Sequence, residues 1–302
     1  NQKKLALEYF KKFHDIGHDD IEDVVVTPGG QRAMATALRS IKPGTDVFLS
    51  QWEYAPVLPI LRDNGNNPIK ISVEENLRPD IEELKDKVTE ESVFYISMPN
   101  NPSGYVSPEV LHSIADIMVD HNGGLIWDAP YIFTTLKLTK NKATFDEDFL
   151  NKQLKEFNKI LKKYPEEICL LSSISKTCLA AGLRFGFATG PRQWIDNMNS
   201  ILGREELSSP TASFYIGQEV LREFLKEPTT YKWLDRILAD RLTSLIKKDL
   251  PLILPESDKF GSLYVLMKTG DMDGKEFVEK ASEEYGIIPI PGQAFYGEPI
   301  NA

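Results

Sequence analysis

The chain has 302 residues, 41% hydrophobic and 26% charged, so it can bury a large core and has the balance of a soluble globular protein. Forty-five acids against 35 bases leave a net charge of −10, which argues against nucleic acid or an anionic membrane as general partners. No apolar run nears the ~18 residues of a membrane span, and no basic-then-apolar leader opens the chain, so neither a span nor a signal peptide is expected.

The first stretch, "LALEYFKKF", reads as an amphipathic helix, and "IEDVVVTPGG" as a short strand running into a glycine turn. "QRAMATALRSI" then has helical period and strong helix formers. "DVFLS" is a strand, "PVLPILRDNG" a helix ended by its own glycine, and "NPIKISV" another strand. "RPDIEELKDKV" carries acids early and bases late, as a helix dipole prefers. "SVFYIS" is a strand, "PNNPSG" a turn, "PEVLHSIADIMVDHN" a helix with proline at its start, and "GGLIWD" a strand. Short apolar strands alternating with helices of about 10–15 residues indicate an α/β fold with a mostly parallel sheet covered on both faces.

A charged segment over 137–168 follows, in which Phe149, Leu154, Phe157, Ile160 and Leu161 recur at helical spacing. It is expected to be a helical insertion with one apolar stripe. The strand "ICLL" comes next, and after "SSPTASFYIGQEVLREFLKEP" the order changes: a long helix, "TYKWLDRILADRLTSLIKKDL", then "GSLYVLMK", another helix, and "GIIPIPG". That is α+β order, so residues 1–225 are expected to form a large domain and 226–302 a smaller one. Cys169 and Cys178, the two cysteines, make no disulfide framework and suggest a reducing, cytosolic setting. His14, His18, His112 and His121 lack metal-ligand spacing and are expected at surfaces or helix ends; no metal is expected.

Four loops should lie at the C-terminal ends of the parallel strands, the edge where open α/β sheets bind ligands: "TPGGQRA", "MPNNPSG", "WDAPY" and "SSISKTCLAAGLR". Each alone is ordinary turn chemistry. The last holds a lysine, Lys176, between an apolar run and small residues, with Arg184 eight positions later. An ordinary core would not use a lysine there.

Together, Asn-Asn-Pro-Ser-Gly, Asp-x-x-Tyr and Ser-x-Ser-Lys followed by Gly-Leu-Arg make the chain resemble the fold-type I pyridoxal-phosphate enzymes, in particular the class I/II aminotransferase family. The resemblance runs over nearly the whole chain. It implies the three-layer α/β large domain of that fold, and a smaller α+β C-terminal domain that looks incomplete. It also implies pyridoxal 5′-phosphate as cofactor and a homodimer as the working form.

By this resemblance Lys176 is the lysine that forms a Schiff base with the cofactor and moves the substrate's α-proton. A desolvated, cation-flanked lysine loses its proton more readily and so becomes a nucleophile. Arg184 resembles the phosphate clamp and Ser173 a second phosphate contact, with Gly30 and Gln31 offering backbone N–H groups at a helix start. Asp128 looks like the carboxylate that pairs with the ring nitrogen, Tyr131 the phenol on the ring's hydroxyl oxygen, and Asn101 its partner and a possible contact for the substrate carboxylate. Tyr54 is matched to the aromatic stacked on the ring, with Trp52 as competitor. Arg204, six before Pro210, matches a substrate-recognising arginine lent by a neighbouring subunit, against a plain surface role, and Cys178 reads as a packing residue.

The resemblance places the family's substrate-carboxylate arginine after Ala302 and an aromatic that reaches the neighbour's phosphate site before Asn1, so the chain reads as a fragment. Val57 stands where many members carry tyrosine, which leaves the substrate class open. The implied function is transfer of an amino group from an amino acid to a 2-oxo acid through the Lys176 Schiff base. The same residues would support a lyase acting by elimination or a decarboxylase, because the cofactor carries the hard chemistry. A non-catalytic sensor that binds the cofactor is the alternative of another class. A nucleotide-binding fold is set aside, since neither G-x-G-x-x-G nor a phosphate-binding G-x-x-x-x-G-K-S/T loop is present.

Overall fold

The computed structural model describes residues 2–17, 21–205 and 212–296. In chain order the elements are α1 (Gln2–His14), β1 (Val24–Thr27), α2 (Gly30–Arg39), β2 (Asp46–Ser50), α3 (Val57–Asp63), β3 (Asn67–Ile71), α4 (Ile81–Lys87), β4 (Val93–Ser97), α5 (Pro108–Asp120) and β5 (Gly124–Asp128). Then come β6 (Thr135–Thr139), β7 (Lys142–Thr144), α6 (Glu147–Lys163), β8 (Ile168–Ser173), the single turn α7 (Ile174–Thr177), β9 (Gly186–Thr189), α8 (Arg192–Glu205) and α9 (Ala212–Lys226). The remainder holds α10 (Thr230–Lys247), β10 (Leu252–Ile253), β11 (Lys259–Gly261), β12 (Leu266–Met267), α11 (Gly274–Tyr285) and α12 (Gln293–Tyr296).

Several helices start where the sequence supplies caps. Ser107 accepts a hydrogen bond from the Val110 N–H at 3.1 Å ahead of Pro108, and Asp146 accepts one from Phe149 at 3.0 Å at the start of α6. In α6, Glu147 and Asp148 fill the first turn and Lys162 and Lys163 the last, matching the dipole at both ends.

Among the described residues, the main sheet has the order β1-β9-β8-β5-β4-β2-β3. Neighbours from β8 through β3 pair in parallel, while β9 runs antiparallel to both β8 and β1. One reversed strand in an otherwise parallel sheet gives the fold expected from the alternating pattern. The period of two divides each strand between two cores. Phe94 and Ile96, Leu125 and Trp127, and Ile168 and Leu170 join the layer with α1, α5 and α6, whereas Tyr95, Ile126, Cys169 and Leu171 face α2, α3 and α8.

The 137–168 segment is a helix only in its second half. Its start pairs as β6 and β7, and β11 adds to the other side of β6, Phe260 opposite Leu136. At three residues each, the β6 partners β7 and β11 carry too few residues to announce a period. The α10 helix packs on β7 and on the turn Ile132–Thr134, so residues on both sides of position 226 share one small core of Leu136, Leu138, Ala239, Leu242 and Phe260. "GIIPIPG" forms no ladder: Pro289 and Pro291 lack the donors a strand needs, and Ile287, Ile288 and Ile290 stay exposed.

His14 takes one of the two expected places, a helix end, but away from the surface. It ends α1 but is fully buried against Tyr9, Phe10 and Trp127, and burial pushes its imidazole down to about 3. His112 and His121 lie on and just after α5, and His18 falls outside the described residues. Among the described residues no group of side chains is arranged to hold a metal, and no helix is long and apolar enough to cross a membrane.

Asp235, buried on α10, has both carboxylate oxygens without a partner, and burial pushes it up to about 8. Between about pH 4 and pH 8 the folded protein therefore holds a proton that the unfolded chain has released, so stability falls as pH rises across that window. The Asp235→Leu variant is expected to unfold about 5 °C or more above the parent at pH 8, the gain vanishing near pH 4. Thermal melts across that range check it; a gain independent of pH would remove the ionisation as its cause.

Candidate active site

The sheet register brings the loops together. Ser97 of β4 pairs with Asp128 of β5, Asp128 with Leu171 of β8, Ser173 with Gly186 of β9, and Gly186 with Thr27 of β1. The turns after β1, β2, β4, β5 and β8 thus share one edge. Between them opens a cavity of about 160 Å³, lined by Gly30, Gln31, Tyr54, Ser97, Asn101, Asp128, Pro130, Tyr131, Ser173, Ser175, Lys176, Ala181, Arg184 and Tyr264. A cavity of about 150 Å³ already admits a six-membered aromatic ring.

Part of the site forms an anion cradle. Gly29, at φ 93°, precedes α2 and supplies no capping side chain, so the N–H groups of Gly30 and Gln31, which line the cavity, are left for a ligand, while those of Arg32 and Ala33 donate to the Gly29 carbonyl at 3.1 and 3.2 Å. The Arg184 guanidinium lies against Gly29 so closely that an added Cβ would sit 2.4 Å from its Nη2. A Cβ on Gly30 would meet the Ser173 hydroxyl at 3.0 Å. Glycine at both positions is what lets backbone, guanidinium and hydroxyl converge. Arg184 itself adopts the left-handed backbone region, φ 50° and ψ 55°, and donates to the Ala181 carbonyl at 2.9 Å. A bulky residue held there costs on the order of 1–3 kcal/mol, which the surrounding loop has to offset.

Asp128, also in the lining, closes β5. It is buried, accepts a hydrogen bond from the Tyr95 hydroxyl at 2.8 Å, and burial pushes its carboxyl up to about 7 against that bond. A buried carboxylate of this kind is stabilised by a cation placed before it. Tyr131 follows three residues on, buried, its phenol raised by burial and by Tyr264, Asp128 and Tyr54. The Asn101 amide donates to the Tyr131 hydroxyl at 3.4 Å, and its Oδ1 is buried without a partner. The Lys176 amine is half-buried 5.7 Å from the centre of the Tyr131 ring. Burial, and next the Arg184 charge, push its pKa below the usual lysine range. A lysine so placed reaches its neutral, nucleophilic form more easily.

The structure thus collects Gly30, Gln31, Tyr54, Asn101, Asp128, Tyr131, Ser173, Lys176 and Arg184 around one space. Trp52 does not line it; its ring lies beside Gly292 instead. Arg204 is exposed on the last turn of α8, outside the lining, and Pro210 falls outside the described residues. Cys178 is buried and unpaired, its thiol pushed up to about 12 by burial, as suits a packing residue.

Gly29, Ser97 and Tyr264 were missed. Gly29 was readable as the left-handed glycine next to Gly30, and Ser97 as the last residue of its strand. Tyr264 comes from far along the chain, and no local pattern marks it.

Residues 2–299 match the family model described as aminotransferase class I and II. An aspartate aminotransferase of Pyrococcus horikoshii is 29% identical over 97% of this chain and 72% of its own length. An aspartate/prephenate aminotransferase of Thermus thermophilus is 26% identical over 91% of this chain and 68% of its own. In three dimensions, a single mutant of Thermus thermophilus aspartate aminotransferase superposes with a TM-score of 0.80, at 23% identity, over 97% of this chain and 74% of that one. An aromatic aminotransferase from Pyrococcus horikoshii gives 0.78 over 98% of this chain and 77% of that one, again at 23% identity. With the lysine, the paired carboxylate and the glycine-lined cradle on one sheet edge, the match along nearly the whole length shows that the chain belongs to the class I and II aminotransferase family and is an amino-group transferase.

Proposed function

We propose that the chain moves an amino group from an amino acid to a 2-oxo acid using pyridoxal 5′-phosphate bound in this cavity. The observation that carries the reading is the set of groups gathered around one aromatic-lined space: an anion cradle, a half-buried amine and a buried carboxylate. The chain's residues fit the cofactor. Gly29, Gly30, Ser173 and Arg184 form a dianion site, Asp128 suits a protonated ring nitrogen, and the unpartnered Asn101 Oδ1 leaves an acceptor for a donor on a ligand. When bound, the cofactor supplies an electron sink for the carbanion formed at the amino acid's Cα.

The rest falls to the protein. Lys176 would hold the aldehyde-bearing end, and its amine would carry the proton from the amino acid's Cα. Tyr131 and Asn101 fix the ring's hydroxyl side, and Asn101 is the candidate contact for the substrate carboxylate. Tyr54 covers a ring face. Arg204 is assigned to substrate recognition across a subunit boundary. In this reading residues 1–225, which hold the whole seven-stranded sheet, form the cofactor domain, and 226–302 the smaller domain that sends Tyr264 into the site. A homodimer is part of the reading, supported by family membership and by the exposed Tyr215 and Ile216 on α9. Cytoplasmic location is supported by the two free, buried cysteines.

Absorbance spectroscopy tests the reading. Adding pyridoxal phosphate should produce a visible band, and adding an amino acid without any oxo acid should bleach it with release of one equivalent of 2-oxo acid per site. Ammonia or carbon dioxide in place of that product would indicate elimination or decarboxylation. A band that amino acids leave unchanged would indicate a sensor.

A further inference from the structure

A second buried carboxylate stands behind the cavity wall. Glu53 is 4% exposed, between β2 and α3, and is not part of the lining. Its Oε1 accepts from the Tyr54 backbone N–H at 2.8 Å and from the Ser97 hydroxyl; its Oε2 accepts from the Ser97 backbone N–H at 3.0 Å and, more distantly, from the Asn100 amide at 3.5 Å. The Asn100 amide is turned that way because its Oδ1 is taken by the Ser103 N–H and hydroxyl, at 3.1 and 2.5 Å.

All four partners of Glu53 are donors. The Ser97 oxygen has no room to accept from Glu53, because it already accepts from the Asn101 N–H at 3.0 Å and the Asn100 amide at 3.2 Å. Burial pushes the Glu53 carboxyl up to about 8, opposed by the bonds from Ser97 and Tyr54. The donor set works against burial: the ionised form satisfies every group, and a protonated one would leave a hydroxyl facing donors.

We propose that Glu53 is a positioning residue that ties the loop bearing Tyr54 to the loop bearing Asn101, with Ser97 as the link, and so sets the gap into which the cofactor ring fits. One side chain braces two walls that are 47 positions apart in sequence (101 − 54). The inference rests on the cofactor reading above.

Equilibrium dialysis of pyridoxal phosphate against the parent, Glu53→Gln, Asn101→Ala and the double variant tests it, with circular dichroism reporting the fold. Glutamine keeps the shape but turns an amide donor toward donors, so the single change is expected to weaken cofactor binding about tenfold. If Glu53 acts through Asn101, the double variant should bind about as weakly as either single one, whereas independent effects multiply to about a hundredfold. Full multiplication, or unchanged binding by Glu53→Gln, overturns the proposal. Should Glu53→Gln fail to fold, Ser97→Ala in the same cycle cuts the same link and is read the same way. A parent that binds no cofactor overturns the cofactor reading itself, an outcome distinct from a parent that binds normally beside an indifferent variant.

Discussion

Lys176→Ala is expected to lower turnover by about 10⁴-fold or more, because in the proposed function one side chain serves both as nucleophile and as carrier of the α-proton. The amine is the only one lining the described cavity, and the protein invests burial and a nearby guanidinium in weakening its hold on a proton. Lys176→Arg should be as inactive as alanine, since arginine keeps the charge but cannot give up its proton. The parent's rate should fall with acidity as the amine becomes protonated. Since its folded pKa lies below the ordinary value, the active neutral form persists to lower pH than for an exposed lysine. Single-turnover conversion of an amino acid measures all three. A small added amine that restores part of the proton transfer in Lys176→Ala would assign the loss to missing chemistry rather than to misfolding.

Asp128→Asn should cost about 10³-fold in turnover while the protein stays folded and still binds the cofactor. Asparagine keeps the size and can still accept from the Tyr95 hydroxyl, so the variant removes chiefly the charge. The expected loss falls on proton removal from Cα. The isotope effect with α-deuterated substrate should therefore grow, because that step becomes slower than all others. A loss below tenfold would show that the ring nitrogen does not depend on this carboxylate.

Much of the site was legible because it sits on loops after strands, and alternating strands and helices put those loops on one edge. Lys176, Arg184, Asp128, Tyr131 and Asn101 could be placed near one another before any coordinates. Glu53 was not legible, since its meaning lies in Ser97 and Asn100, 44 and 47 residues away, which only strand pairing brings near. Tyr264 likewise enters from beyond α10 by a path no local pattern describes. His14 does end a helix, as expected, and a helix end after Lys11 and Lys12 suggests solvent. Its neighbour Tyr9 and the sheet's Trp127 decide otherwise.

The reversed strand β9 has a mechanical consequence. Ser173 and Gly186, which bound the segment carrying Lys176 and Arg184, are paired across β8 and β9, and the Ile174 N–H also donates to the Phe185 carbonyl at 3.2 Å. A one-residue slip would bring a side chain to where Gly186 touches Gly29, a place in which a Cβ would sit 2.3 Å from backbone. The two cations are therefore the jaws of a caliper whose opening is pinned at its base. On the proposed function such a device would measure its ligand: a ring aldehyde without an anionic tail would meet one jaw or the other, and a molecule that spans both would be held in register for reaction.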